Sequence, residues 1–440
     1  MHLRRLRKLF HDPIWFVLLG AVVSGALAGH VFAREENSDA VPILLGKAWN
    51  ADSTETRAVL GTIFGFLATI VALVLSLNGV IIKSASYQYS PRLVPLYLRN
   101  APLRRALPVL AFLGAYLIAA LRELGLLADD LVRPRFVVSG AVAVLFVGIL
   151  FLVVELIRTF RFIRVERVLG LVRDATFAAV RRVRGRVDRL ALDADASLEL
   201  PLDATALVAR SPGYLVDVHL RRLARIARNA RVRARICHAI GDYVDEGGVI
   251  GWVASDDGRP VSAALTRELA LTLVVSAVRE IDYDPALGIR IIVDVANRAL
   301  SSSVNDPYTA RQALNQLRSV LRHVARLPLR DWNVVDHDGK VRVSVMAPRL
   351  RELLDTAVRG PLYYGADHPD VLEGLLELVL EVGWVARDAE DRDATRALLE
   401  KIDGLAEECE LDPDRLERLR ADAAPVRRAL ASSGPPHQHG

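Results

Sequence analysis

The sequence predicts an α-helical membrane domain with four transmembrane helices, followed by a cytosolic α+β domain with a small β-barrel-like module and a helical C-terminal part. The 440 residues are 52% hydrophobic, and the mean hydropathy is +0.25. The longest uncharged apolar runs lie within residues 1–157, and charged residues dominate after them. This distribution is typical of a membrane domain joined to a soluble domain.

The first predicted span covers residues 14–33 and follows a basic N-terminal segment. Its apolar stretch is longer than the roughly 7 to 15 residues of a signal-peptide core, so a retained helix is expected. Gly25 and Gly29 form a Gly-x-x-x-Gly step, which lets a neighbouring helix approach closely. The loop that follows is acidic on balance and is placed outside the cell.

The second predicted span, residues 60–82, is the segment around which the membrane domain is organised. At about 1.5 Å per residue, this uncharged run exceeds the roughly 30 Å hydrocarbon core of a bilayer. Polar residues recur at every seventh position, and a helix places them on one stripe that drifts by only about 20° per step. They are Thr62, Thr69, Ser76, Lys83 and Ser90.

This polar stripe has two interpretations, because lipid offers its side chains no hydrogen-bond partner. It either lines a water-filled path or packs against another helix, with Ser and Thr bonding to carbonyl groups four residues earlier. Gly61 and Gly65 form a second Gly-x-x-x-Gly step, which favours packing. The sequence leaves both interpretations open.

The third and fourth spans are predicted at residues 107–128 and 136–154. Arg122 and Glu123 lie within the third span, so they must pair or reach the outer interface. Arginines crowd the loop after the second span and the segment after the fourth. Under the positive-inside rule both segments are cytoplasmic, which predicts a multi-pass protein of the bacterial plasma (inner) membrane with cytoplasmic N and C termini.

Residues 158–200 are predicted to form an amphipathic connecting helix and a linker. Between residues 158 and 186, arginines lie on one side of the helix and apolar residues on the other. Such a helix is suited to lie against anionic lipid headgroups.

The soluble domain is predicted to combine strands and helices. Glycines around Gly241 to Ile250 resemble the turn of biotinyl- and lipoyl-type barrels, and Asp338-Gly339 is a two-residue hairpin signal. The apolar run at residues 266–280 is interpreted as a buried helix. The predicted segments are residues 201–255 (small β module), 256–430 (mixed helical domain with a β-hairpin near 332–345) and 431–440 (disordered tail).

A second group of candidate residues lies on a predicted helix that begins at Pro285. Arg290, Asp294 and Arg298 follow one another at intervals of four, so they share one side of this largely apolar helix. We call this set the ion ladder. We expect it to be half-buried, where the charges must pair.

The loop after this helix also has two interpretations. Asp306, followed by Pro307, suits the N-cap and first position of the next helix. Alternatively Ser301, Asn305, Asp306 and Thr309 surround an anion or polar ligand together with the arginines of the ion ladder, because free N–H groups at a helix N-terminus favour negative charge.

Two blocks of the chain resemble a large bacterial family known only as predicted membrane proteins of unknown function. The first block, residues 86–92, reads S-x-Q-x-S-P-R and contains Gln88, Ser90 and Arg92. The second block, residues 288–310, reads G-I-R-x-x-V-D, then A-L-S, then N-D-P-x-T-A. The resemblance implies a fold and a membrane location but no reaction, and it adds Gln88 and Arg92 to the candidate motif residues.

The sequence shows no enzyme signature. A glycine-rich phosphate loop with lysine, H-E-x-x-H, G-x-S-x-G and Cys-x-x-Cys are all absent, so we predict no catalytic residue, metal site or cofactor. Cys237 and Cys409 are too few for a disulfide framework. Basic residues cluster beside apolar spans rather than among aromatic residues, so the lipid bilayer and not nucleic acid is the expected partner.

Two function hypotheses follow. The first is a homo-oligomeric channel or transport-like protein for an ion or small polar solute, with the cytosolic domain as a vestibule. The second is a membrane-anchored cytosolic ligand-sensing or scaffold protein without a transport path. The polar stripe favours the first hypothesis.

Overall fold

A computed structural model describes residues 14–34, 53–100, 103–126, 135–162, 164–188, 198–327, 329–386, 389–408 and 413–431. The chain forms two compact units, an N-terminal unit up to Arg164 and a C-terminal unit from Val165 onwards. Most of the predicted linker (189–197) and tail (432–440), and residues 127 and 128 of the third span, lie outside the described residues.

The N-terminal unit is helical. Its helices are α1 (Ile14–Arg34), α2 (Ser53–Gln88), the short α3 (Val94–Asn100), α4 (Leu103–Leu126) and α5 (Arg135–Phe162). Four of them, α1, α2, α4 and α5, are long and apolar enough to cross a membrane, which confirms the prediction of four spans. Helix α2 has 36 residues and is about 54 Å long, so it exceeds the hydrocarbon core by several turns.

Helices α1 and α4 pack closely through the first glycine step. A Cβ atom on Gly25 would lie 2.3 Å from the carbonyl oxygen of Phe112, and one on Gly29 would lie 2.4 Å from that of Tyr116. Only glycine permits this approach, so the predicted close-packing step is observed. Near the end of the same helix pair, Glu123 lies 2.8 Å from His30, and this partner on another helix was not visible from sequence spacing.

The core of the N-terminal unit lies where α2, α4 and α5 meet. One side of α2 is buried there through Leu60, Ile63 and Leu67. These residues pack with Leu113, Tyr116, Leu117, Ala120 and Ala141. The packing therefore fixes which side of α2 faces away from the helices of its own chain.

The C-terminal unit mixes helices and strands. In chain order these are α6 (Val165–Val187), β1 (Thr205–Val208), β2 (Gly213–Val218), α7 (Leu220–Asn229), β3 (Val232–Ile236), β4 (Tyr243–Val244), β5 (Val249–Ser255), α8 (Ala263–Ala270), β6 (Leu273–Ser276), α9 (Pro285–Ala299), α10 (Pro307–Val324), β7 (Trp332–Val335), β8 (Val341–Val345), α11 (Leu350–Gly365), α12 (Pro369–Gly383), α13 (Ala389–Glu408) and α14 (Pro413–Ala431). Helices α6, α9, α10, α11 and α12 pack on one another. The predicted sequence of spans, mixed α and β region and C-terminal helices is confirmed.

The strands form two sheets, with orders β1-β5-β3-β8-β7 and β4-β2-β6. Strand β3 pairs in parallel with β8, Ala234 opposite Val343 and Ile236 opposite Val345, while the other pairs are antiparallel. Strands β1, β3 and β5 of the predicted β module therefore share one sheet with the hairpin near 332–345, whereas β2 and β4 of the module pair with each other and with β6 in the second sheet. Joining them covers an edge of β3 that would otherwise expose unpaired backbone groups.

Two predicted helices differ in the structure. The segment predicted as one helix at 158–186 is divided, because α5 continues to Phe162 and α6 begins at Val165. The apolar side of α6 is buried against α9 and α10, so it is not free to lie on lipid. The run at 266–280 is α8 followed by strand β6, because Val274 and Val275 pair with β2.

Candidate functional site

The polar stripe of α2 lies on the exposed side of the helix. Thr62, Thr69, Ser76 and Lys83 are all exposed in the described chain. The hydroxyl of Thr62 donates to the carbonyl oxygen of Ala58 at 2.9 Å, and that of Thr69 donates to Gly65 at 3.0 Å. These two threonines therefore have satisfied hydroxyl groups although they face away from their own bundle.

Ser90 does not belong to this exposed side. Helix α2 ends at Gln88, and Ser90 is 2% exposed. Its hydroxyl oxygen accepts a hydrogen bond from the backbone N–H of Arg92 at 3.2 Å, where it caps a short 3₁₀ turn from Pro91 to Leu93. The stripe thus ends at Lys83, and the sequence pattern included Ser90 only because the seven-residue interval continued past the helix end. Gln88 and the side chain of Arg92 are exposed.

Three glycines extend the exposed side of α2. Apart from the backbone of α2 itself, no atom of the described chain lies within 4 Å of a Cβ placed on Gly61, Gly65 or Gly79. The second Gly-x-x-x-Gly step, which favoured helix packing in the sequence, is therefore not used within one copy of the chain. We call the surface formed by Gly61, Thr62, Gly65, Thr69, Ser76, Gly79 and Lys83 the α2 face.

The ion ladder lies on the outer side of α9. Arg290 Nε is 3.2 Å from Asp294 Oδ1, and the two side chains are 47% and 15% exposed. Arg298 is exposed. The opposite side of α9 packs on α6, where a Cβ on Gly288 would lie 1.9 Å from Thr176 Oγ1. The arginines are therefore hydrated and only the carboxylate is largely buried.

The loop from Ser301 to Asp306 uses its polar groups locally. Asp306 is the N-cap of α10, and its carboxylate accepts a hydrogen bond from Thr309 N at 3.0 Å. Asn305 has a left-handed backbone with φ +48°, and its N–H donates to Ser301 O at 2.9 Å. Hydrogen bonds from Thr309 hold the pKa of Asp306 below its usual value. The structure thus brings these candidates together as a helix cap.

A buried ion pair, which the sequence did not reveal, lies at the start of α9. Asp284 is 2% exposed, and its Oδ2 atom is 2.6 Å from Arg279 Nε. Its Oδ1 atom accepts a hydrogen bond from Leu287 N at 3.1 Å, so Asp284 also caps α9. Burial raises the pKa of Asp284, and the Arg279 guanidinium opposes that shift.

Gly241 explains how this ion pair is enclosed. The residue has φ +104°, and a Cβ on it would lie 2.4 Å from Arg279 Nη2 and 2.8 Å from Asp284 Oδ2. A glycine before Asp242 and an aspartate before Pro285 are the two sequence signals that point to this contact, but neither shows that they meet.

A cavity next to Asp284 is lined mainly by apolar side chains, among them Val183, Trp332 and Leu353. Its volume is about 30 Å³, whereas pockets for small organic ligands usually hold about 300 to 1,000 Å³. Within the described ranges, no group of three or more His, Cys, Asp or Glu side chains is placed to hold a metal ion. The cavity therefore gives little support to a site for a whole organic ligand.

Comparison with known proteins identifies the family of the chain. A family model described as "Predicted membrane protein (DUF2254)" matches residues 11–381. The chain belongs to this family. The resemblance noted from the sequence is thereby confirmed.

The chain is also similar to individual proteins of mycobacteria. Uncharacterised proteins of Mycobacterium tuberculosis strain H37Rv and of Mycobacterium bovis are each 30% identical to the chain over 346 residues. The match covers 78% of this chain and 66% of each relative, so it spans slightly less than two thirds of their length. No solved structure matches the chain.

The region shared with the DUF2254 family contains both groups of candidate residues. Residues 11–381 include the α2 face, the ion ladder and the Asp306 loop, and they end within α12. The family description supports a multi-pass membrane protein and names no substrate.

Proposed function

We propose that the protein is a homo-oligomeric channel or transporter of the bacterial inner membrane, which moves an ion or small polar solute along a path bordered by α2. The supporting observation is the α2 face: polar side chains and three glycines lie on the side of a membrane-spanning helix that its own bundle leaves uncovered. In this proposal, copies of the chain meet at or near this face.

Lipid alone is a poor neighbour for the α2 face. Hydroxyl groups that bond to their own helix cost little in a membrane, but they gain nothing from lipid contact. Glycines at positions 61 and 65 allow two helix backbones to approach closely, which gains van der Waals contact and Cα–H···O contacts that lipid tails cannot supply as well. A second copy of the chain is the partner that is always present.

A path between copies is more plausible physically than one inside a single copy. The helices of one N-terminal unit close around an apolar core that includes Leu60, Leu113 and Leu117, each at most 2% exposed. A water path needs polar walls, and the α2 face supplies them on the outside of this core. The C-terminal unit then lies in the cytoplasm with both termini, as the arginine-rich loops indicate, and acts as a vestibule.

Cysteine cross-linking in native membranes tests the association. In a Cys237→Ser/Cys409→Ser background, Thr69→Cys should form a covalent dimer on oxidation. Val147→Cys is the matched control, because Val147 is also exposed on a membrane helix (64%) but lies on α5. A monomeric particle, or equal cross-linking at both positions, would contradict association through α2.

Solute flux tests the path separately. Reconstituted full-length protein should conduct ions or release small polar solutes from vesicles, and Thr69→Leu with Ser76→Leu should reduce this flux several-fold while the oligomer persists. If the oligomer shows no measurable flux of monovalent cations, anions or small neutral solutes, the transport hypothesis is wrong. Association between copies would then still stand.

The alternative, a membrane-anchored sensor or scaffold, has less support. Two candidate ligand sites among the described residues are the cavity next to Asp284 and the Asp306 loop. The cavity has a volume of only about 30 Å³. In the loop, the Asp306 carboxylate already accepts the hydrogen bond that caps α10.

A further inference from the structure

Helix α7 carries an arginine face. Arg221, Arg222, Arg225 and Arg228 are all exposed, within a helix of only 10 residues. The intervals of four and three residues from Arg221 to Arg225 and Arg228 place them on one side of the helix. The other side is buried in the C-terminal unit through Leu220, Leu223, Ala224, Ile226 and Ala227.

The acidic residues that the structure describes do not pair with this face. Elsewhere arginines of the unit pair closely with carboxylates, as Arg318 does with Glu377 and Arg322 with Glu381, both at 2.6 Å. Among the described residues, none of the four α7 arginines forms an ion pair. Like charges at such intervals repel one another, so an anionic partner that binds several of them at once relieves this repulsion.

We propose that the arginine face of α7 binds anionic phospholipid headgroups of the bilayer in which the chain is anchored. The C-terminal unit begins at Val165, and α5 ends at Phe162, so the membrane is always within reach of the unit. Such tethering raises the effective concentration of the headgroups and makes weak single contacts sufficient. Arginine suits phosphate because its guanidinium can donate two parallel hydrogen bonds.

The kind of contact follows from the burial of α7. Its apolar side packs inside the C-terminal unit, so the helix binds by charge and does not insert into the acyl region. Aromatic side chains do not alternate with these arginines along the helix, which disfavours stacking on nucleic-acid bases. The headgroup contact predicted for residues 158–186 stays a prediction, and the arginine face of α7 is a separate site for such contact. The inference does not depend on the transport proposal.

Headgroup quenching tests the proposal on the full-length chain. Asn229→Cys in the Cys237→Ser/Cys409→Ser background places a fluorophore at the exposed end of α7. The protein is reconstituted in nanodiscs that contain a headgroup-spin-labelled phosphatidylcholine, with or without phosphatidylglycerol. We expect several-fold stronger quenching with phosphatidylglycerol, and loss of that difference in about 1 M NaCl, where the screening length falls to about 3 Å.

Two quadruple variants separate the arginine face from net charge. Arg221→Gln/Arg222→Gln/Arg225→Gln/Arg228→Gln should remove the effect of phosphatidylglycerol. Arg351→Gln/Arg359→Gln/Arg418→Gln/Arg428→Gln changes the net charge equally at other exposed positions and should retain the effect. Glutamine has a helix propensity close to that of arginine, so circular dichroism should show intact helices in both variants.

Three outcomes would overturn the proposal. The first is equal quenching with and without phosphatidylglycerol. The second is an equal loss in both quadruple variants, which would assign the effect to overall charge. The third is unchanged quenching in the α7 variant together with lost binding of a double-stranded oligonucleotide, which would assign the face to nucleic acid.

Discussion

The two Gly-x-x-x-Gly steps of the N-terminal unit are alike in sequence and opposite in the structure. The backbone of α4 covers Gly25 and Gly29 of α1: its carbonyl oxygens lie 2.3 and 2.4 Å from a Cβ placed on these two residues. Apart from the backbone of α2 itself, Gly61 and Gly65 have no described atom within 4 Å of such a Cβ. The first step serves the fold of one copy, and no described residue of another helix covers the second.

Two ion pairs of the C-terminal unit show the same contrast between a covered and an exposed feature. The arginine and carboxylate of the Arg279–Asp284 pair are 29% and 2% exposed, whereas those of the Arg290–Asp294 pair are 47% and 15% exposed. A buried charge that loses its partner costs far more free energy than a hydrated one. Burial, and not residue type, therefore decides which of these matched features supports the fold.

The largest effect is expected for Asp284→Ala. This change leaves the Arg279 guanidinium without its partner and removes the N-cap of α9, so the free energy of unfolding should fall by about 3 kcal/mol. Denaturant unfolding of the full-length protein in detergent, followed by tryptophan fluorescence, measures it. Asp282→Ala is the matched control: its partner Arg182 is 44% exposed, and the loss should be below about 1 kcal/mol. Equal losses would mean that the Asp284 pair is hydrated.

A smaller effect is expected when leucine replaces a glycine of the first step. Gly29→Leu forces α1 and α4 apart, and overpacking of this kind costs about 2 kcal/mol. Gly65→Leu should leave the thermal stability of the monomer unchanged and weaken association between copies, measured by the Thr69→Cys cross-link. If Gly65→Leu destabilises the monomer as much as Gly29→Leu does, the contrast between the two steps is wrong.

Local features were predictable from sequence, whereas burial and long-range pairing were not. The charge-free runs predict the spans, because lipid thickness and helical rise fix the necessary length. The Asp306 cap depends only on residues 306–309 and was predictable too. The parallel pairing of Ile236 with Val345 joins distant segments with no local signal, and neither glycine step shows in the sequence whether it is covered.

The contribution of Asp306 to the free energy of unfolding is expected to depend on pH. Its folded pKa lies below the unfolded value of about 3.9, so its contribution to stability is present above that pH and is lost as pH falls through the folded pKa. Asp306→Ala should therefore lower the free energy of unfolding by about 1 kcal/mol at pH 7 and by less at pH 3. A difference that grows in acid would contradict the cap.

The smallest change in the free energy of unfolding is expected for the ion ladder. It measures how much hydration weakens an ion pair. Asp294→Ala leaves Arg290 half exposed to water, so the cost should stay below about 1 kcal/mol although the carboxylate itself is only 15% exposed. A double-mutant cycle with Arg290→Ala isolates the pair and should give a coupling of about 0.5 kcal/mol or less. A coupling near the roughly 3 kcal/mol expected for Asp284→Ala would show that the ladder is covered in the working protein. Because its arginines are exposed among the described residues, that cover would have to come from outside them.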